Sequence, residues 1–217
     1  MNLLNNIAPI VKFFAESIRE FHYTGSIFPT SKWAAKAMTH PLREDPPSIG
    51  RQILELGPGT GSVTVKILAD MNQKDELTIC EINPRFMAAL KKFLAPNPDF
   101  IRHRDRVRFY CCPAQELPED RKYDVIVCAL PFLNFDLHTV RQIFGKLLKL
   151  STEHTLMTNY EYIGLRNIGK IISPKSRRRR IYQVDRFFKR AAPTLIQEKK
   201  VWLNVLPINI YTRKLAA

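Results

Sequence analysis

The segment ILELGPGTGSVT, residues 53–64, sets Gly57, Gly59 and Gly61 between an apolar β-type run and a helical pattern. Glycines so spaced suit a sharp turn at the carboxyl end of a strand, where open α/β sheets place their ligand crevice. The surrounding sequence agrees. RQILEL, LTICEI, RVRFYCC, YDVIVCAL and HTLMTNY read as strands, and Ser62–Met71, Pro84–Leu94 and Leu137–Leu150 as helices, the second with proline at its first position. Strands alternating with helices of this length predict βαβ units and a mostly parallel sheet. The final run TLIQEKKVWLNVLPINIYTRK divides near Pro207 into two β-rich pieces, a predicted terminal hairpin.

Ahead of the sheet pattern, residues 1–48 form an N-terminal helical extension that ends in the proline-rich REDPPSIG, and residues 49–217 form the main domain. Leu3, Leu4, Ile7, Ile10, Val11, Phe14, Ile18 and Phe21 recur at intervals of three and four, one apolar stripe of a helix. Such a stripe packs on the sheet or lies in a membrane surface; its charges cancel, so it lacks the basic face of a strong membrane binder. TGSIFPTSKWAAKAM then offers a hydroxyl-rich loop and a second short helix. No apolar run reaches the ~18 residues of a membrane span, and no secretory leader is predicted. Cys80, Cys111, Cys112 and Cys128 all sit in apolar runs without metal-site spacing, so buried, reduced thiols and no metal site are expected, in a cytoplasmic protein.

The formal charge of +14 implies an anionic partner, nucleic acid or a membrane surface, and it is concentrated. Nine basic residues and one acid between Lys170 and Arg190 supply +8 of it, including the consecutive Arg177, Arg178, Arg179 and Arg180. Guanidinium forks suit phosphate, which both RNA and anionic lipid headgroups present.

The ligand of the glycine loop can be narrowed by chemistry. Ser62 stands where a dinucleotide fingerprint has its third glycine, and Pro58 removes a backbone donor that a pyrophosphate would use. Glu55, at the strand end, suits a cationic amine. Glu81 closes the next strand 20 residues past Gly61, where an acid accepts both ribose hydroxyls. These features favour a phosphate-free, zwitterionic nucleotide, S-adenosylmethionine. Ala114, Gln115 and Glu116 follow the third strand, facing the adenine amine; Leu130, Pro131 and Phe132 follow the fourth, beside the methyl group.

With these motifs in hand, the chain from residue 51 onward resembles the class I S-adenosylmethionine-dependent methyltransferases. That resemblance implies a Rossmann-like, mostly parallel seven-stranded sheet ending in an antiparallel hairpin. TGSIFPTSKWAAKAM, ALPF, NYEYIG and NVLPINIYTRK further resemble the small bacterial phospholipid N-methyltransferases, which act on phosphatidylethanolamine and related aminolipids. The outline is also similar to rRNA adenine dimethyltransferases, the alternative reading. Those enzymes carry Asn before the Leu-Pro motif, where this chain has Ala129, and a C-terminal helical domain for which it lacks room. The resemblance implies that Glu55, Gly57, Gly59, Gly61, Glu81, Gln115, Glu116 and Leu130 line the cofactor. It implies that Ser26 to Ser31 close over its methionine end and that Tyr160 meets the headgroup. It also implies a peripheral enzyme on the inner face of the membrane, held by the arginine run and the N-terminal helix.

Methyl transfer to an amine requires an aligned, unprotonated nitrogen. The proton leaves to water before binding, or with help from Tyr160, Glu161 or a neighbouring carboxylate, and the sequence leaves these options open. His22 and His40, near the expected lid, are assigned no role.

Overall fold

The structure, a computed structural model, describes residues 30–44, 50–164, 175–190 and 194–215. Ser26 and the Leu3–Phe21 stripe lie outside the described residues, as does the side chain of Arg177.

Seven strands form one sheet: β1 (Gln52–Leu56), β2 (Glu76–Cys80), β3 (Val107–Tyr110), β4 (Tyr123–Cys128), β5 (Ser151–Tyr162), β6 (Thr194–Val201) and β7 (Ile208–Lys214). Their order is β3-β2-β1-β4-β5-β7-β6. The first five are parallel, while β7 inserts antiparallel between β5 and β6. The predicted seven-stranded sheet and terminal hairpin are therefore what the chain forms.

Strand alternation divides the core into two layers. Ile53, Val125 and Val127 pack on one face with helices α2 (Ser62–Asp70) and α3 (Pro84–Leu94). Leu54, Leu56, Ile126 and Cys128 pack on the other with α5 (Leu137–Lys149) and α6 (Lys175–Arg190). Apolar residues on both faces of β1 and β4 explain why these strands read as continuous hydrophobic runs.

Two short helices complete the first layer. α1 (Lys32–Met38) starts at Ser31, whose hydroxyl accepts the Ala34 N–H, and buries Ala34, Ala35, Ala37 and Met38 against that layer. The Thr158 hydroxyl of β5 donates to the Met38 carbonyl at 2.8 Å. The buried Arg51–Asp75 pair at 2.7 Å also reaches the Leu42 carbonyl at 2.6 Å, fastening residues 40–43 to the sheet. The described part of the N-terminal zone is thus packed on the sheet. α4 (Pro98–His103), capped by Asn97, is too short to leave a periodic signal.

Two expectations need correction. β5 runs from Ser151 rather than His154, because its lower end follows an irregularity opposite Tyr123–Val125, where the Thr155 hydroxyl donates to the Tyr123 carbonyl. Cys80 and Cys128 are buried as expected, but Cys111 is exposed and Cys112 half-buried. β3 is an edge strand that ends at Tyr110, so both residues fall in the turn beyond it. Among the described residues, no helix is long and apolar enough to cross a membrane.

Candidate cofactor and acceptor site

The carboxyl ends of β1, β2 and β4 are tied together before any ligand is considered. Gly57 N–H donates to the Cys80 carbonyl at 3.0 Å, Ala129 N–H to Leu56 at 2.9 Å, and Glu81 N–H to Tyr110 at 3.1 Å. The three glycines all take left-handed backbone, with φ of 69°, 54° and 85°. Gly57 also needs its missing Cβ, which would stand 2.9 Å from Leu130 Cδ2. A Cβ on Gly61 would meet Leu90 at 2.7 Å, so that glycine lets the start of α2 approach α3. At Gly59 a Cβ would enter open space.

That space is a cavity of about 330 Å³. Of the residues singled out in the sequence, Gly57, Gly59, Glu81, Gln115, Leu130 and Tyr160 line it together. Gly61 packs on α3 instead, and Ser31 serves as the cap of α1. Glu116 points to solvent on the turn that carries Gln115. Phe132 also leaves the cavity. The one-turn helix Phe132–Asn134 swings its ring into a cluster with Phe144 and Phe188, at 5.2 and 5.3 Å. Ala129, Leu130 and Pro131 remain as the wall.

Glu55, expected to line the cofactor, is instead fully buried at the end of β1 and does not line the cavity. Burial pushes its pKa up to about 8, the Thr64 hydroxyl pulls it back, and the Glu81 charge adds to the rise. Glu81 is 7% exposed; one oxygen accepts the Asn83 N–H at 2.9 Å. Burial raises its pKa as well, while backbone donors from Asn83, Gly59 and Ile82 oppose the rise. Of these two carboxyl groups only Glu81 lines the cavity, and a pKa of about 8 keeps Glu55 protonated at neutral pH.

Tyr160 also lines the cavity, its ring 5.5 Å from Tyr162 and nearly perpendicular to it. Burial and the adjoining Tyr162 hydroxyl raise its pKa well above the ordinary phenol value. It therefore stays protonated at neutral pH and offers a hydroxyl, not a base. Glu161, the next residue of an extended strand, projects to the other face.

Sequence reasoning missed Phe86, Cys112, Asn134, Phe135 and Thr139, which also line the cavity. Asn134 and Phe135 lie three and four residues past Pro131 and carry no motif of their own. Phe86 is one more apolar position of the α3 stripe. Among the described residues, no cluster of His, Cys, Asp and Glu could hold a metal.

The cavity suits S-adenosylmethionine on its own terms. The glycine turn leaves open space at Gly59, Glu81 offers acceptors for a ribose diol, and Ile82 and Phe86 provide apolar walls beside Gln115.

The comparisons agree. Residues 53–152 match the methyltransferase-domain family Methyltransf_25. Curated proteins give no match to the chain. The glycopeptide N-methyltransferase MtfA, solved in complex with sinefungin, is similar with a TM-score of 0.62 at 14% identity, over 87% of this chain and 89% of MtfA. Precorrin-6y C5,15-methyltransferase of Geobacter metallireducens gives 0.58 at 12%, over 88% and 95%. A proposed RNA methyltransferase of Pyrococcus horikoshii gives 0.58 at 14%, over 88% of each chain. At such identities the likeness is one of fold. Residues 53–152 thus match a methyltransferase-domain family, the sheet is ordered as in the methyltransferases of similar fold, and the glycine-loop cavity suits S-adenosylmethionine.

Proposed function

We propose that this methyltransferase acts on the primary amine of a phospholipid headgroup, of the phosphatidylethanolamine type, at a membrane surface. The observation that carries the reading is the presence of both Ala129 and Tyr160 in the lining of the cavity. A methyl side chain precedes Leu130-Pro131, where the similar rRNA enzymes hold adenine with an asparagine. A neutral phenol in the same cavity accepts a hydrogen bond from an amine N–H.

S-adenosylmethionine, when bound, supplies an electrophilic methyl group on a sulfonium. The chain does the rest by position. Glu81 and Gln115 hold the nucleoside end, and the Gly57–Gly61 turn admits it closely. Leu130 and Pro131 keep water from the acceptor, and Tyr160 orients the amine. Because Tyr160 keeps its proton and Glu161 faces away, the amine gives its proton to solvent.

A second reading, methylation of an RNA adenine, is favoured by Asn134, an amide that does reach the cavity, and by the +14 charge. Incubating the chain with methyl-labelled S-adenosylmethionine, phosphatidylethanolamine vesicles and, separately, structured rRNA tests the choice. Label in the lipid extract is expected; label in RNA alone would replace this reading with the second.

A further inference from the structure

We infer that the β6–β7 connection, with the start of α1, is the surface that seats the cavity mouth on an anionic lipid bilayer, an inference that rests on the lipid reading above. The topology places it there. Tyr160 pairs with Ile210 and Tyr162 with Ile208, and the Ile163 N–H donates to the Pro207 carbonyl at 2.8 Å. Residues 202–207 therefore sit at the carboxyl end of β5, on the same edge of the sheet as the glycine turn. Asn204 fastens them to α1: its Oδ1 accepts the Ser31 N–H at 2.9 Å, one residue from cavity-lining Thr30. Its Nδ2 donates to the Leu206 carbonyl at 2.9 Å. Asn204 thus turns inward and holds the connection in shape.

The neighbours of Asn204 are exposed. Trp202 is 64% exposed, Leu203 67% and Val205 58%, and across the Asn204–Ser31 bond Trp33 is 48% exposed. These include both tryptophans of the chain. Large apolar side chains gathered at one place on a water-facing surface mark an interaction site. Residues 203–206 form a bend at the sheet's end, and the charge around it chooses the occupant. Lys32 and Lys36 on α1 are exposed, and Lys199, which shares its face of the sheet with Ile210, is exposed as well. Lys32 Nζ lies 5.3 Å from the Trp33 ring centre. Glu198, the exposed acid next to Lys199 in β6, projects from the other face of the sheet. Tryptophans flanked by lysines match a membrane–water interface, where the indoles sit at headgroup level and the ammonium groups meet anionic lipid.

The two tryptophans make the inference directly measurable in the full chain. In Trp33→Phe, Trp202 is the sole indole. Its emission is recorded with vesicles of phosphatidylethanolamine and phosphatidylglycerol, with and without bromine on the acyl chains. Strong quenching by the brominated lipid is expected. Leu203→Asp should lower vesicle partition on the order of tenfold, as loss of a buried leucine would. Lys32→Gln and Lys199→Gln should each lower it about fivefold at low salt. Cofactor binding and the unfolding midpoint report that each variant is folded. Co-sedimentation with vesicles but no quenching would overturn the inference, since another face would then be docked. So would an emission change caused by structured RNA or by self-association without any response to vesicles.

A water-soluble short-chain phosphatidylethanolamine separates this inference from the substrate reading. Leu203→Asp should keep methyl transfer to the monomeric lipid and lose it on vesicles. Transfer by the unaltered chain to neither lipid, alongside full quenching, would sink the substrate reading and leave the docking surface standing.

Discussion

Replacing Glu81 by glutamine isolates the charge at the nucleoside end of the cavity. The side chain keeps its shape, and its remaining carbonyl oxygen still accepts the Asn83 N–H that Glu81 takes at 2.9 Å. What is lost is the anionic acceptor for a ribose diol. A hydrogen bond to a charged group contributes ~1.5–3 kcal/mol, so affinity for S-adenosylmethionine should fall about 10- to 150-fold. The fold should not suffer. Burial raises the Glu81 pKa, so the native state disfavours this charge, and removing it leaves the unliganded unfolding midpoint unchanged or slightly higher. Isothermal titration with S-adenosylmethionine or sinefungin, together with thermal unfolding, reads both quantities. Unchanged affinity in the glutamine variant would refute the assignment of Glu81 to the cofactor. A fall in affinity accompanied by an equal fall in stability would refute the argument that the effect is local.

Three further outcomes follow from particular residues. Glu55 has an ordinary pKa of 4.5 and is pushed to about 8 in the folded chain. Its contribution is therefore complete below pH 4.5 and lost as pH rises through about 8, at most on the order of 5 kcal/mol. Glu55→Gln should flatten that decline in urea unfolding, and an equally steep pH profile in the variant would contradict it. Gly59→Val should abolish cofactor binding, because the side chain enters the cavity from a residue at φ 54°, a backbone that itself costs ~1–2 kcal/mol outside glycine; calorimetry on the folded variant checks this. Replacing Arg177, Arg178, Arg179 and Arg180 by Ala should weaken binding to anionic vesicles at low salt by several kcal/mol, at about 1 kcal/mol per basic residue near the surface. Cofactor affinity should stay the same, and equal sedimentation of both proteins at every salt level would show that the run does not meet lipid.

The parts of the molecule governed by local pattern were legible in the sequence. β1 and β4 are buried on both faces, so each left an unbroken apolar run, and Gly57, Gly59 and Gly61 announced a turn that only glycine can make. Glu81 and Tyr160 stand out in the sequence because strand ends place them, and both line the cavity. Residues whose roles depend on a second element were not legible. Phe132 follows Pro131 directly, yet its ring is claimed by Phe144 and Phe188 from α5 and α6. Asn134 and Phe135 reach the cavity only because the one-turn helix Phe132–Asn134 rotates them there. Cys111 reads as core by its neighbours and is exposed because β3 ends one residue earlier. The surface around Trp202 needed the Ser31–Asn204 hydrogen bond, which joins residues 173 positions apart.

The most direct test of the proposed chemistry follows the methyl group to its final atom. The chain is incubated with methyl-labelled S-adenosylmethionine and phosphatidylethanolamine vesicles, with Gly59→Val as the control that lacks cofactor. The lipid is extracted, its headgroup is released by phospholipase D, and the free bases are separated. Label in N-methylated ethanolamine from the unaltered chain, and none from the control, is the predicted result. Label confined to RNA added in a parallel reaction, with unlabelled headgroup bases, would contradict it.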